Sequence, residues 1–127
     1  MSEPKQYSLS VSVSTEFIEE QSDLANGPYV FAYTVQIQNT GNVTAQVLTR
    51  HWIIADAFGR TQEVRGSGVV GVQPTLKPGE AFEYTSACPL TTPMGSMRGS
   101  YQCKAEDGHE FEAPIDTFEL NMPRTLH

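Results

Sequence analysis

Residues 51–74, HWIIADAFGRTQEVRGSGVVGVQP, decide the fold class of this chain. Gly66, Gly68 and Gly71 follow the spacing G-x-G-x-x-G, which in nucleotide-binding proteins stands between a strand and a helix whose first amides bind a pyrophosphate. Here the glycines lead into residues 72–74, VQP, and a proline so close behind them prevents a helix of useful length. We therefore predict extended backbone at 72–74 and a bent, valine-rich crossing between two sheets, where glycine permits positive φ or close backbone approach.

Upstream of this stretch, apolar and polar residues alternate with a period of two, which predicts two strands that each have one solvated face. The apolar positions of the first strand are Tyr7, Leu9, Val11 and Val13. Those of the second strand are Tyr29, Phe31, Tyr33, Val35 and Ile37. The turn residues Asn39, Gly41 and Asn42 follow at once.

The third strand changes phase within its length. Its first apolar positions, Val43, Ala45 and Val47, have one parity, whereas the later ones, Leu48, Trp52 and Ile54, have the other. Without a β-bulge every side chain beyond this change would face the wrong layer, so we predict a bulge here. His51 and Trp52 should then point to opposite faces, and Trp52 is similar to the core tryptophan of many β-sandwiches.

Downstream, turns are expected at 56–59 and 106–108, a weak polar strand at 61–68, and a connector at 75–80 that leads into Phe82 and Tyr84. The C-terminal apolar positions form three groups: Met97, Gly99, Tyr101 and Cys103; Phe111, Ala113 and Ile115; and Phe118, Leu120 and Met122. Short strands, frequent turns and no helical period predict an all-β fold, an antiparallel β-sandwich of about seven or more strands whose two sheets pack face to face. We expect one domain, residues 1–127, with loose termini at roughly 1–5 and 123–127.

The charge balance argues against nucleic acid as a partner. The chain has 8 basic and 15 acidic residues, for a net charge of −7, whereas binding to a phosphate backbone requires clustered Lys and Arg. No signal-peptide pattern or membrane-length apolar run is present in the sequence, so we expect a cytoplasmic protein without membrane contact. In that compartment Cys88 and Cys103 should be reduced, and we interpret them as small buried residues.

No catalytic residue, metal site or cofactor is predicted. Glu106, Asp107, His109 and Glu110 are suitable cation ligands by type, but they occupy an Asp-Gly turn and lack the oxygen spacing of a calcium site. His127 belongs to a terminus that we expect to be loose, so the histidines do not indicate a metal site. Neither Ser86 nor Ser96 lies in a G-x-S-x-G nucleophile elbow, although catalytic groups can assemble from distant positions.

Several segments resemble the bacterial ApaG family: HWIIADAFGR, TQEVRGSGVVGVQP, KPGEAFEYTSACPLTTPMGSMRGSY and EDGHEFEAPIDTF. The resemblance extends from about Leu9 to Leu120. It implies a fibronectin type III-like or immunoglobulin-like antiparallel β-sandwich that occurs alone in bacteria. It also occurs as a partner-binding domain of some eukaryotic proteins, including an F-box protein and a polymerase-delta-interacting protein. The family is associated with cobalt and magnesium resistance and with diadenosine-tetraphosphate metabolism, and its members commonly have small or polar residues at the positions of Phe58 and Met94.

These observations favour a non-enzymatic module that binds an unknown protein partner. The candidate partner surface consists of His51, Arg60, Glu63, Arg65 and Ser86, since exposed charged and turn residues on a rigid scaffold suit such contacts. The alternative is a small-ligand protein that binds a dinucleoside polyphosphate, a pyrophosphate or a divalent cation through the glycine segment, with Gly66, Gly68 and Gly71 as the anion site. A homodimer formed through an exposed sheet edge is a further possibility.

Overall fold

A computed structural model describes residues 3–123. Its strands are β1 Leu9–Phe17, β2 Tyr29–Asn39, β3 Ala45–Asp56, β4 Thr61–Ser67, β5 Thr75–Leu76, β6 Ala81–Leu90, β7 Met94–Ala105 and β8 Glu110–Asn121. A short 3-10 turn, Glu19–Gln21, lies between β1 and β2. Of the terminal segments that we expect to be loose, residues 1–2 and 124–127 lie outside the described residues.

The strands form two antiparallel sheets, as the all-β sandwich prediction requires. The smaller sheet has the order β1-β2-β6, and the larger has the order β4-β3-β7-β8 with β5 also paired to β3. On one side of the sandwich β1 contacts β8. On the other side the edge strands β4 and β6 flank an open cleft.

The predicted bulge in β3 is present, because the pairing of β3 with β7 shifts between Val47 and Thr49. Beyond it Trp52 points into the core, where it is 2% exposed. Its ring meets those of Tyr33, Tyr101 and Phe118 edge-on at centroid distances of 5.5, 6.3 and 5.9 Å. The phase change is therefore what makes the tryptophan a centre of contact between the sheets.

A second irregularity joins the last two apolar groups of the sequence into one strand. Met97 pairs with Phe118 but Gly99 pairs with Ile115, so Arg98 opposes two residues of β8. This bulge lets Ile115 and Phe118, which differ in parity, both pack on the core.

The glycine segment was expected to cross between the sheets, and this part of the prediction is wrong. Strands β4 and β5 both pair with β3, so residues 68–74 leave and rejoin the edge of the same sheet. The crossing to the smaller sheet comes later, at 77–80, between β5 and β6. Backbone bonds from Gly68 N to Leu48 O and from Val47 N to Pro74 O, at 2.7 and 3.0 Å, attach the excursion to the β3 bulge.

Within residues 3–123, no helix has the length and apolar character needed to span a bilayer.

Candidate functional site

The outer face of the β3–β4 hairpin brings together three of the predicted partner-surface residues. His51 and Arg65 are directly opposed across the two strands, and Glu63 lies between them in contact with both. Its carboxylate oxygens are 3.6 Å from His51 Nε2 and 3.9 Å from Arg65 Nη2. The His51 side chain is only 21% exposed, and its Nε2 is buried without a hydrogen bond to the described residues.

A shallow depression of about 350 Å³ adjoins His51 on this face. Arg98 and Ser100 of β7 line it together with Glu112 and Asp116 of β8. The outer face therefore presents charges of both signs on rigid strands, which suits a polar contact and gives no preference for one sign of ligand.

Arg60 lies at the tip of the same hairpin, apart from that cluster, beside an exposed aromatic ring. Phe58 is 77% exposed, and the Arg60 guanidinium carbon is 5.3 Å from its ring centroid. Asp56 fixes the turn by accepting hydrogen bonds from the Phe58 and Arg60 amides and from Arg60 Nε at 2.9, 3.0 and 2.8 Å. Although desolvation opposes the shift, these bonds hold the pKa of the Asp56 carboxyl below its usual value.

Thr92 connects the hairpin tip to the neighbouring β6–β7 turn. Its buried hydroxyl accepts a hydrogen bond from Ala57 N at 3.0 Å and donates one to Met94 O at 2.7 Å. Phe58 and Met94 are both exposed large hydrophobic residues. Two apolar side chains are thus held on linked turns at one end of the sandwich.

Ser86 lies on a different surface from the other predicted partner residues. It is directly opposite Tyr33 in the β2–β6 ladder, on the inward side of β6, and it lines the cleft between β6 and β4. His51, Glu63 and Arg65 point away from this cleft because they occupy the opposite face of the larger sheet. The predicted surface is therefore divided between an outer face, a hairpin tip and an inner cleft.

The glycine segment folds as a tight turn. Val69 and Val72 exchange two backbone hydrogen bonds, of 2.7 and 3.0 Å, around Val70 and Gly71, whose φ angles are 41° and 83°. Two successive positive φ values are typical of a type I′ turn. The extended backbone predicted for residues 72–74 is present, and β5 follows in place of a helix.

Sequence reasoning missed the role of Arg50 beside this segment. Its Nη1 donates hydrogen bonds to Ser67 O and Gly68 O at 3.0 and 3.1 Å. A Cβ at Gly66 would lie 2.7 Å from the guanidinium nitrogens, so this glycine makes room for the arginine. At this point the segment presents carbonyl acceptors to a cation, whereas an anion site requires amide donors. The sequence did contain a signal for this placement: beyond the bulge, Arg50 and Trp52 are both even-numbered and therefore lie on the same face of β3.

The acidic turn at 106–110 anchors the N-terminal segment. The Asp107 carboxylate accepts hydrogen bonds from Tyr7 OH at 2.6 Å, Lys5 Nζ at 2.9 Å and His109 N at 3.0 Å. The Tyr7 and His109 rings stack with centroids 3.9 Å apart. Hydrogen bonds from Tyr7, Lys5 and the His109 amide hold the pKa of Asp107 well below its usual range.

Both cysteines are buried and unbridged, as the sequence predicts for small apolar residues. Burial raises the pKa of the Cys88 thiol to about 11 and that of the Cys103 thiol to about 12. Thiols with such values are almost entirely protonated at neutral pH, so neither is an activated nucleophile.

Comparison with known proteins gives a consistent set of relatives. The ApaG domain profile matches residues 19–105. The ApaG protein of Methylobacillus flagellatus is 58% identical over 127 residues, which cover both chains completely. That of Bordetella pertussis is 62% identical over 123 residues, or 97% of this chain and 94% of the relative.

Solved structures agree with these relatives. A crystal structure of a Bordetella pertussis protein named ApaA superposes with a TM-score of 0.92 at 61% identity, covering 95% of this chain and 98% of that one. The sequence match and the shared sandwich extend over nearly the same residues. The chain therefore belongs to the ApaG family.

Proposed function

We propose that this chain is a non-enzymatic module that binds a protein partner through its β3–β4 hairpin. The observation that carries the proposal is Phe58, a phenylalanine 77% exposed at the tip of a turn. Such exposure leaves its apolar surface in water, and the Asp56 and Thr92 hydrogen bonds hold the turn before any partner arrives. A preorganised aromatic side chain beside an arginine has the character of an interface anchor.

The outer face of the hairpin would form the polar part of the contact. His51 and Arg65 each lie within 4.0 Å of the Glu63 carboxylate there. A partner with charged groups of its own would exchange the weak, exposed Arg65–Glu63 pair for an interfacial one. Such an exchange favours correct orientation of the partner more than raw affinity. The resemblance to domains that bind partners in eukaryotic proteins supports the same role, and the relatives' names specify no reaction.

Capture experiments with matched surface variants test this proposal. The immobilised wild type should retain a partner from an extract of the native cell, and the double variant Phe58→Ser, Arg65→Ala should lose it. Val70→Ser is the matched control, because Val70 is also an exposed apolar residue, 56% accessible, but lies in the turn after β4. Since all three side chains are exposed, thermal unfolding should change little. Equal capture by the wild type and the double variant would reject the hairpin.

The alternative function, binding of a dinucleoside polyphosphate, a pyrophosphate or a divalent cation by the glycine segment, has a direct test. Titration calorimetry with diadenosine tetraphosphate, with and without Mg²⁺ or Co²⁺, should give no heat of binding if partner binding is the function. Saturable heat that is lost in Gly71→Ala would favour the ligand instead, because Gly71 lies at the exposed tip of that turn.

A further inference from the structure

Strand β4 is an open edge of the larger sheet, and its outward backbone groups belong to odd-numbered residues. Within residues 3–123, β3 is the only strand that pairs with it. The β3–β4 ladder has no register shift, and the bond of 3.0 Å from Asp56 N to Arg60 O assigns the even-numbered residues of β4 to β3. The amides and carbonyls of Glu63 and Arg65 therefore point away from the sheet.

The side chains along this edge are self-complementary. Strand β4 has the sequence TQEVRGS, with Val64 at its centre, Glu63 before it and Arg65 after it. The Glu63 and Arg65 side chains are 56% and 71% exposed, and at 3.9 Å they form a weak pair within one chain. Edge strands are commonly protected by lysine or by inward-pointing charges. Strand β4 has neither, so its edge is open to pairing.

We propose that two copies of the chain pair antiparallel through β4, about a two-fold axis at Val64. In this register Glu63 of one copy lies directly opposite Arg65 of the other, and the reverse pair follows from the symmetry. Each of these pairs exchanges two backbone hydrogen bonds, because both residues present their amides and carbonyls outward. The two Val64 side chains, each half-buried against its own core, meet at the axis.

Charge selects this register over its neighbours. Outward residues must oppose outward residues, so the nearest alternatives place the axis at Glu63 or at Arg65. Either one puts two like charges directly opposite each other, which is destabilising, whereas the register at Val64 makes two pairs of opposite charge. The dimer would join the two larger sheets into one continuous sheet.

The other open edge, β6, is less suited to this pairing. Asn39 N bonds to Glu80 O, so the odd-numbered residues of β6 point outward. Among them Pro89 has no N–H to donate, and none carries a basic side chain to balance Glu83. Of the two edges, β4 therefore has both the free donors and the complementary charges.

This contact does not depend on the proposed function, because it does not use Phe58 at the hairpin tip. Phe58→Ser keeps both Glu63 and Arg65. It should therefore leave self-association unchanged even if it loses partner capture. The two proposals can fail separately.

Light scattering at increasing concentration measures the association. The mass of the wild type should rise from one chain toward two between about 10 µM and about 1 mM, since a single strand pair is smaller than a standard interface. Glu63→Arg opposes arginines across the axis and Arg65→Glu opposes glutamates, so each variant alone should associate at least about tenfold more weakly. An equimolar mixture of the two variants should recover the dimer, because every cross-strand pair then has opposite charges.

Two controls locate the contact. Ala87→Lys, on the β6 edge, should associate as the wild type does. Amide hydrogen exchange needs no substitution: the Arg65 amide should become protected as the concentration rises, and the outward amide of Ala87 should not. A mass of one chain at every concentration, a dimer that survives both charge reversals, a mixture that stays monomeric, or loss of the dimer in Ala87→Lys would overturn the proposal.

Discussion

Asn39 shows how a residue typical of turns can become part of the core. It is 2% exposed, and its side-chain amide donates hydrogen bonds to Val43 O and Leu76 O, both at 2.9 Å. Its carbonyl oxygen accepts from Gly41 N at 2.9 Å. One side chain thereby joins the end of β2, the following turn and β5.

Replacing Asn39 with aspartate should destabilise the protein by about 3 kcal/mol or more at neutral pH. The substitution keeps the shape of the side chain but places a carboxylate against two carbonyl oxygens that have lost their donor. Urea unfolding followed by Trp52 fluorescence measures the loss. Asn26→Asp, at an exposed position, is the matched control and should be nearly neutral; a similarly small effect at Asn39 would contradict the hydrogen-bonding role.

Two glycines of the triplet can be distinguished by alanine substitution. At Gly71, φ is 83° and a Cβ would meet open space, so Gly71→Ala should cost only the left-handed backbone penalty of about 1 kcal/mol. At Gly68, φ is 65° and a Cβ would lie 2.3 Å from Val72 O, so the turn must move and Gly68→Ala should cost about 3 kcal/mol. Denaturant unfolding of both variants checks the order, and equal losses would show that the turn adapts.

Among the elements, the N-terminal segment before β1 is attached in two places: its backbone bonds to Asn42 through Pro4 and Gln6, and its side chains bond to a single carboxylate. Asp107 receives hydrogen bonds from Tyr7 and Lys5, and these bonds hold its pKa below the ordinary value of 3.8. Because the folded state favours the charged form, the stabilising effect is complete above that ordinary value. It is lost as the pH falls toward the folded pKa.

Acidification should therefore release the Lys5 and Tyr7 side chains from the acidic turn before the sandwich unfolds. We expect the Tyr7 ring resonances, shifted by stacking on His109, to move toward exposed-tyrosine positions as the pH falls below about 4. Trp52 fluorescence monitors the fold in the same samples. In Asp107→Asn the Tyr7 resonances should not respond to pH over this range. An identical response in that variant would assign the transition to another group.

The β-bulges show which element features the sequence reveals. The bulge in β3 is predictable because the apolar positions change parity between Val47 and Trp52 within one continuous strand segment. The bulge in β8 was not predicted, because the change of parity between Ile115 and Phe118 is equally consistent with a break between two strands. Only the pairing with β7, in which Met97 and Gly99 bracket the shift, shows that β8 continues through it.

At the scale of the whole molecule, the sandwich is asymmetric. Contacts between β1 and β8 close one side, whereas the other side leaves β4 and β6 as edges around the cleft. Unpaired strand edges are sites for pairing with another chain. The same opening gives Arg50 and Ser86 access to solvent, so the edges and the cleft belong to one feature of the architecture.

If the β6 edge pairs with a second copy of the chain, the protein should form a dimer. Multi-angle light scattering should then show a mass that rises from one chain toward two with concentration. Ala87→Lys places a charge on the exposed side of β6, which should shift the equilibrium to the monomer because two such charges would meet in an antiparallel pair. A concentration-independent mass of one chain would exclude the edge dimer.

The sequence by itself determined the fold class and much of the local structure. Alternation with a period of two specifies strands because side chains on a pleated strand point to opposite faces. The residues after the glycine triplet likewise exclude a helix through local backbone chemistry. These inferences depend on neighbours along the chain, which the sequence displays.

Only the tertiary structure decided which distant residues share a surface. It separated Ser86 from His51, Glu63 and Arg65, and it placed the glycine excursion along one sheet instead of between two. It also brought Arg50 to a cleft whose other wall belongs to β6. Pairing partners and register depend on contacts between residues far apart in the chain, and alternation within a strand defines two faces without stating what covers each.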